Sequence, residues 1–136
     1  MVSEIFVNLP ISNLERSRDF YTKLGFTNVP QFTDENAAAM RISEQVYVML
    51  LVKDFFRTFT TKEIADTEMT VSVINSLSVS SRAEVDEFME KALAAGARKN
   101  LDPYDYGFMY GRSFLDPDGH LWEVGYMDPA HIQPVN

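Results

Sequence analysis

The chain has 136 residues, 46% of them hydrophobic and 24% charged, with a formal net charge of −8. That is enough chain for a substantial core, too apolar for disorder, and too acidic to hold a phosphate backbone without a basic patch. Cysteine is absent, which excludes disulfides, thiolate metal sites and cysteine nucleophiles.

Ile5 to Ile11 alternates as a strand, with Val7, Leu9 and Ile11 on one side and Phe6 and Asn8 on the other. Ser12 followed by Glu15 has the spacing of a capping box, and Gly25 suits the residue after a helix. Between them Leu14, Ser17, Tyr21 and Leu24 keep helical spacing, widened by Phe20. The basic residues Arg16, Arg18 and Lys23 are interleaved with acids, as are Arg98 and Lys99, and read as solvated faces. Ala37–Ile42 and Gln45–Val52 predict a strand pair turning near Ser43-Glu44. The continuous apolar run Val46 to Val52 implies burial on both faces, and it is too short to span a bilayer.

Lys53 to Thr67 has no clear period and suits a short helix, a linker or a cover. A strand is expected from about Thr70 to Val79. Ser81 with Glu84 gives a second capping box, and Val85, Phe88, Met89, Ala92 and Leu93 form an apolar stripe ending at Gly96. Loop residues are expected through Gly107. Phe108–Leu115 and Leu121–Met127 then predict a hairpin around Asp116-Pro117-Asp118-Gly119, with Asp116 and Asp118 shaping the turn. The tail from Asp128 carries two prolines and is expected to be loosely held. With no basic region leading into an apolar core at the N-terminus, a soluble cytoplasmic protein is expected.

The two halves repeat. Val7 to Phe20 and Asn75 to Phe88 align at an offset of 68 positions, with Leu9 on Leu77, Ile11 on Val79, Ser12 on Ser80 and Phe20 on Phe88. A half-length period means one strand–helix unit used twice, and such pairs often enclose a site.

Leu14-Glu15-Arg16-Ser17, Asp19-Phe20-Tyr21 and Leu24-Gly25-Phe26 resemble the first helix of the glyoxalase / bleomycin-resistance / extradiol-dioxygenase family, the vicinal oxygen chelate proteins. Phe114 to Val124, with Asp116-Pro117-Asp118-Gly119-His120-Leu121-Trp122-Glu123, is similar to that family's closing hairpin, and the helix ending at Ala95-Gly96 also fits. The resemblance runs from Ile5 to about Met127. It implies an α+β fold of two βαβββ modules, about 1–60 and 68–127. Their mixed sheets would form a curved, partly closed barrel with helices outside, in one domain spanning 1–127 and followed by a tail, 128–136. It also implies a homodimer. Metal-dependent members hold one divalent ion as a Lewis acid for vicinal substrate oxygens; antibiotic-binding members use the cavity without one.

Carried over position by position, the first-strand ligand falls on Phe6 and its second-half counterpart on Ile74, again 68 positions apart. The third should lie within Tyr47 to Val52, where no usual ligand for such a cation stands. Only Glu123 is kept. One carboxylate is too few for a catalytic divalent site, which takes about three protein ligands. His120 is out of register with Glu123, and His131 lies in the tail. No metal ligand set and no cofactor are therefore expected, and a small organic molecule is the expected partner.

Its cavity lining would include Phe6, Asn8, Met49, Ile74, Ser76, Ser78, Leu121 and Glu123. The segment Tyr104 to Arg112, with the aromatics Tyr104, Tyr106, Phe108 and Tyr110, two glycines and Arg112, would sit next to the mouth, where aromatic faces stack on planar ligands. Arg112 could meet a carboxylate or pair with Glu123. Aromatics in such a strand-rich segment more often form core or a dimer interface than a ligand cage, Trp122 should face the helix, and the methionines read as gap-fillers. Glu123 is the one candidate catalytic residue. The alternative is a metal-dependent lyase, isomerase or dioxygenase using Glu123 with partners such as Glu4 or groups across a dimer interface. A third possibility is a structural role with the cavity filled by its own side chains. No nucleophile elbow and no glycine-rich phosphate loop are present.

Overall fold

The computed structural model describes residues 1–131, and the chain divides between Thr70 and Val71 into two compact units. Ile132 to Asn136, the end of the expected tail, lie outside the described residues. Among the described residues no helix is long and apolar enough to cross a membrane.

The first unit holds β1 (Ile5–Ile11), α1 (Leu14–Lys23), β2 (Thr27–Val29), β3 (Ala37–Ser43), β4 (Val46–Val52) and α2 (Lys53–Phe56). Its sheet has the order β1-β4-β3-β2, with β1 parallel to β4 and the other pairs antiparallel. α1 packs on β3 and β4. Its buried Ser17, Phe20, Tyr21 and Leu24 lie toward buried Leu9, Ile11, Met40, Val48 and Leu50, the alternate residues of three strands. Phe20 meets Tyr21 edge-on at 4.9 Å, and Tyr21 stacks on Phe26 at 5.8 Å. The helix starts one residue later than the capping-box pattern predicts: Asn13, not Ser12, is the cap, its Oδ1 accepting from the Arg16 N–H at 3.0 Å. Asn and Ser cap about equally well, so local preference alone does not separate these adjacent positions. Gly25 follows with φ +102°, where a side chain would be strained.

The second unit repeats the order of elements: β5 (Ile74–Ser78), α3 (Arg82–Ala95), β6 (Arg98–Lys99), β7 (Tyr104–Asp105), β8 (Met109–Leu115) and β9 (Leu121–Met127). The sheet runs β5-β9-β8-β6, with β7 also on β8 and β5 parallel to β9. α3 packs on β8 and β9. Its Val85, Met89 and Ala92 are buried, as are Phe114, Trp122 and Val124 on the helix side of the strands. The Phe114 and Trp122 rings stack at 6.5 Å with 6° between planes. Ser81 caps α3 by accepting from the Glu84 N–H at 3.1 Å, while Glu84 returns a carboxylate oxygen to the Ser80 N–H at 2.8 Å. In the hairpin turn the buried Asp116 accepts from the N–H groups of Asp118 (2.9 Å) and His120 (2.8 Å).

Each unit is thus a βαβββ module whose first strand lies parallel to its last, with β7 an addition in the second. Neither sheet closes on itself: each is open, ending at β1 and β2 in one unit and at β5 and β6 in the other. The strand expected from Thr70 begins only at Ile74, because Ile74 pairs with Leu121 and the partner strand starts there. β6 and β7 interrupt the stretch expected to be loop. The described part of the tail is tied down, contrary to expectation: the Asp128 N–H donates to the Phe108 carbonyl at 2.7 Å, and His131 stacks on Phe108 at 4.7 Å.

Candidate functional site

On the face of the second sheet opposite α3, register brings Ser76, Glu123 and Ser113 into one cross-strand row. The next row holds Gly125, Gly111 and Tyr104. Neither glycine has a side chain, and Tyr104 fills the vacancy. A Cβ placed on Gly111 would lie 2.1 Å from the ring carbon bearing the hydroxyl, and one on Gly125 would lie 3.2 Å from the hydroxyl oxygen. The phenol therefore lies flat on bare backbone, a use of strand glycine that allows close approach. The Ser76 hydroxyl donates to Glu123 Oε1 at 3.2 Å, and the Tyr104 hydroxyl lies within reach of the Glu123 charge. Burial, then the Glu123 negative charge, holds the Tyr104 hydroxyl above the usual tyrosine range. Ser113 turns its oxygen to the Asn100 amide at 3.1 Å.

The corresponding face of the first unit has no carboxylate at the position equivalent to Glu123. Asn8 pairs with Met49 as Ser76 pairs with Glu123, so Met49 occupies the counterpart of the carboxylate. Phe6 and Tyr47 are register partners and stack at 4.5 Å with 7° between planes. Asn8 donates its side-chain amide to the Phe6 carbonyl at 3.2 Å. Phe6 and Ile74 are 39% and 56% exposed.

Three residues expected near the mouth lie elsewhere. Arg112 is the register partner of Val124 and so projects to the α3 side, where it binds Asp86 at 3.1 Å and Glu90 at 3.5 Å. The alternative pairing with Glu123 is not formed, because adjacent positions on a strand face opposite ways. Tyr110 shares that side, donating its hydroxyl to Asp86 at 2.6 Å. This bond, followed by Arg112, draws the Asp86 carboxyl below its usual range. Tyr106 remains beside the site, its ring 5.8 Å from that of Tyr104, whereas Phe108 stacks on His131. Tyr104, one of the four aromatics expected near the mouth, is the one whose ring lies on the strand glycines beside Glu123. The signal for it is Gly111 and Gly125, two strand-interior glycines that prove to be register partners.

A second cluster on the α3 side involves Arg82, which grips Asp105 through both guanidinium nitrogens at 3.1 and 2.5 Å. That contact, with the Gly107 N–H second, lowers the Asp105 pKa to about 2. A depressed carboxylate pKa adds stability that is complete above the unfolded value of 3.8 and is lost as pH falls through about 2. We therefore expect the Asp105 carboxyl, followed by NMR, to stay ionised at pH 3 in the folded protein. Titration near the ordinary Asp value would contradict the grip.

A divalent centre of the kind the resemblance implies does not fit these residues. The ligand positions fall on Phe6 and Ile74, which have no donor atom, and on the Tyr47–Val52 strand, where Met49 is the counterpart of Glu123. Glu123 itself accepts from the Ser76 hydroxyl. Among the described residues, no three His, Cys, Asp or Glu side chains are grouped to hold a metal ion.

Residues 5–124 match the family model described as Glyoxalase/Bleomycin resistance protein/Dioxygenase superfamily. No curated protein matches the sequence. Similar solved structures include hypothetical protein SA1046 from S. aureus, with 27% identity over 93% of this chain and 94% of that one (TM-score 0.79). A lactoylglutathione lyase from Agrobacterium tumefaciens is 16% identical over 95% and 96% (TM-score 0.69). TnmS3, an antibiotic binding protein from Streptomyces sp. CB03234, is 17% identical over 91% and 94% (TM-score 0.63). At 16% and 17% identity the last two establish a shared fold.

Proposed function

The chain belongs to the Glyoxalase/Bleomycin resistance protein/Dioxygenase superfamily, and from that premise we propose that it binds a small organic ligand without a divalent metal. The site is the face of the second sheet opposite α3, and Glu123 is its polar anchor. The observation that carries this reading is the Ser76–Glu123–Tyr104 cluster. Where the family's metal-dependent members turn a carboxylate onto an ion, this chain ties the carboxylate to the Ser76 hydroxyl and sets the Tyr104 phenol near its charge.

An ionised carboxylate has about four acceptor positions, so the Ser76 donor leaves it room for hydrogen bonds from a ligand. The Tyr104 ring, fixed on Gly111 and Gly125, offers a flat surface beside it, with Tyr106 close by. A ligand with an N–H or O–H donor on a planar apolar body matches that combination. The use of this fold by an antibiotic binding protein supports binding without catalysis as an occupation for it.

Native mass spectrometry of the purified protein, followed by titration with the retained compound or a set of planar aromatic amines, tests the reading. A hydrogen bond to a charged group contributes ~1.5–3 kcal/mol, so Glu123→Gln should weaken binding roughly 10- to 150-fold. Equal affinity of wild type and Glu123→Gln would overturn the assignment.

A further inference from the structure

We propose that Arg82 is a positioning residue for Tyr104, clamping Asp105 on the α3 side of β7 so that the adjacent phenol stays over Gly111 and Gly125 against Glu123.

β7 has two residues and two register pairs, Tyr104 with Gly111 and Asp105 with Tyr110. A ladder this short has little stability of its own, and the residues around it are exposed. Successive strand residues point to opposite faces. The pair Tyr104/Gly111 therefore forms the site side, and Asp105/Tyr110 the helix side of the same piece of backbone.

The first turn of α3 grips both members of the helix-side pair. Arg82 holds Asp105 through two nitrogens, and its guanidinium carbon lies 4.4 Å from the centre of the Tyr110 ring. Asp86, one turn further, accepts from the Tyr110 hydroxyl. Asp105 Oδ1 also takes the Gly107 N–H at 2.9 Å, bending the chain after β7 back toward β8. A two-nitrogen guanidinium–carboxylate contact fixes direction as well as distance. With Asp105 fixed in orientation, the neighbouring side chain is fixed on the other face. Arg82 makes these contacts on the α3 side and acts through the backbone between Asp105 and Tyr104.

The role of the clamp in binding rests on the ligand reading above, but the clamp is tested in the free protein, so either can fail alone. Tyrosine labelled with carbon-13 at Cζ, with the Tyr104 signal assigned by Tyr104→Phe, reports the phenol titration. In Arg82→Ala the Tyr104 pKa should fall toward that of an ordinary tyrosine, as the phenol leaves Glu123. Arg82→Lys, keeping the charge but not the fork, should fall between wild type and Arg82→Ala. Arg112→Ala also removes an ion pair to α3 but none to β7, and should leave the titration in place. If Arg82→Ala does not fold, Asp105→Asn should give the same fall. A wild-type Tyr104 titration in folded Arg82→Ala or Asp105→Asn would overturn the proposal, as would an equal shift in Arg112→Ala.

Discussion

Gly111→Ala should lower stability by about 1–3 kcal/mol, the usual range for an extra methyl forced into occupied space. The new Cβ would fall 2.1 Å from a ring carbon of Tyr104, with the hydroxyl oxygen at 2.2 Å, so the phenol must leave its seat. It moves away from the Glu123 charge as it goes. The backbone of Gly111 carries no positive φ, so the ring, not the chain, is the source of the cost. That makes the effect reversible by a second substitution. Tyr104→Ala in the Gly111→Ala background should recover part of the loss, with a coupling of about 0.5–3 kcal/mol in a double-mutant cycle. Urea unfolding of the four proteins measures it. A neutral Gly111→Ala, or strict additivity, would show that Tyr104 does not lie on the glycines in solution.

Trp122→Ala carries the largest expected stability cost, about 3–5 kcal/mol, as for other aromatic truncations in a core. The ring is 2% exposed, stacks on Phe114 and lies on the α3 side of β9, next in sequence to Glu123 on the other side. Total stabilities of single domains are about 5–15 kcal/mol, so the variant loses a large fraction of its margin. Phe6→Ala, at 39% exposure on the first unit's sheet, should cost less than half as much by the same measurement. Equal effects would mean that the second unit's core is not centred on Trp122.

These contrasts show which parts of the molecule its sequence makes legible. The offset of 68 positions between Phe6 and Ile74 holds in three dimensions, because both stand in the first strand of a βαβββ module. Alternation along β9 places Trp122 toward the helix and Glu123 away from it, since side-chain period is a local property of a strand. Arg112 is a different problem. Its face depends on how β8 registers against β9 across the connection from Asp116 to His120. A turn of that length does not fix register from composition alone, and Arg112 meets Val124 rather than Glu123. Tyr104 is legible only as one of four aromatics near the mouth, since its strand has two residues and no periodicity to read. The visible trace of it is negative, in the side chains missing from Gly111 and Gly125. The late start of β5 is likewise a tertiary fact: Val71 to Val73 are as strand-like as Ile74, but the partner strand begins at Leu121.

Calorimetric titration with nickel, zinc, manganese and iron(II) probes most directly whether the carboxylate at Glu123 serves an organic ligand or an ion. The hydroxyls of Ser76 and Tyr104 and the apolar Phe6, Ile74 and Met49 predict no stoichiometric binding at micromolar affinity for any of the four. One ion per chain at micromolar affinity, lost in Glu123→Gln, would contradict it.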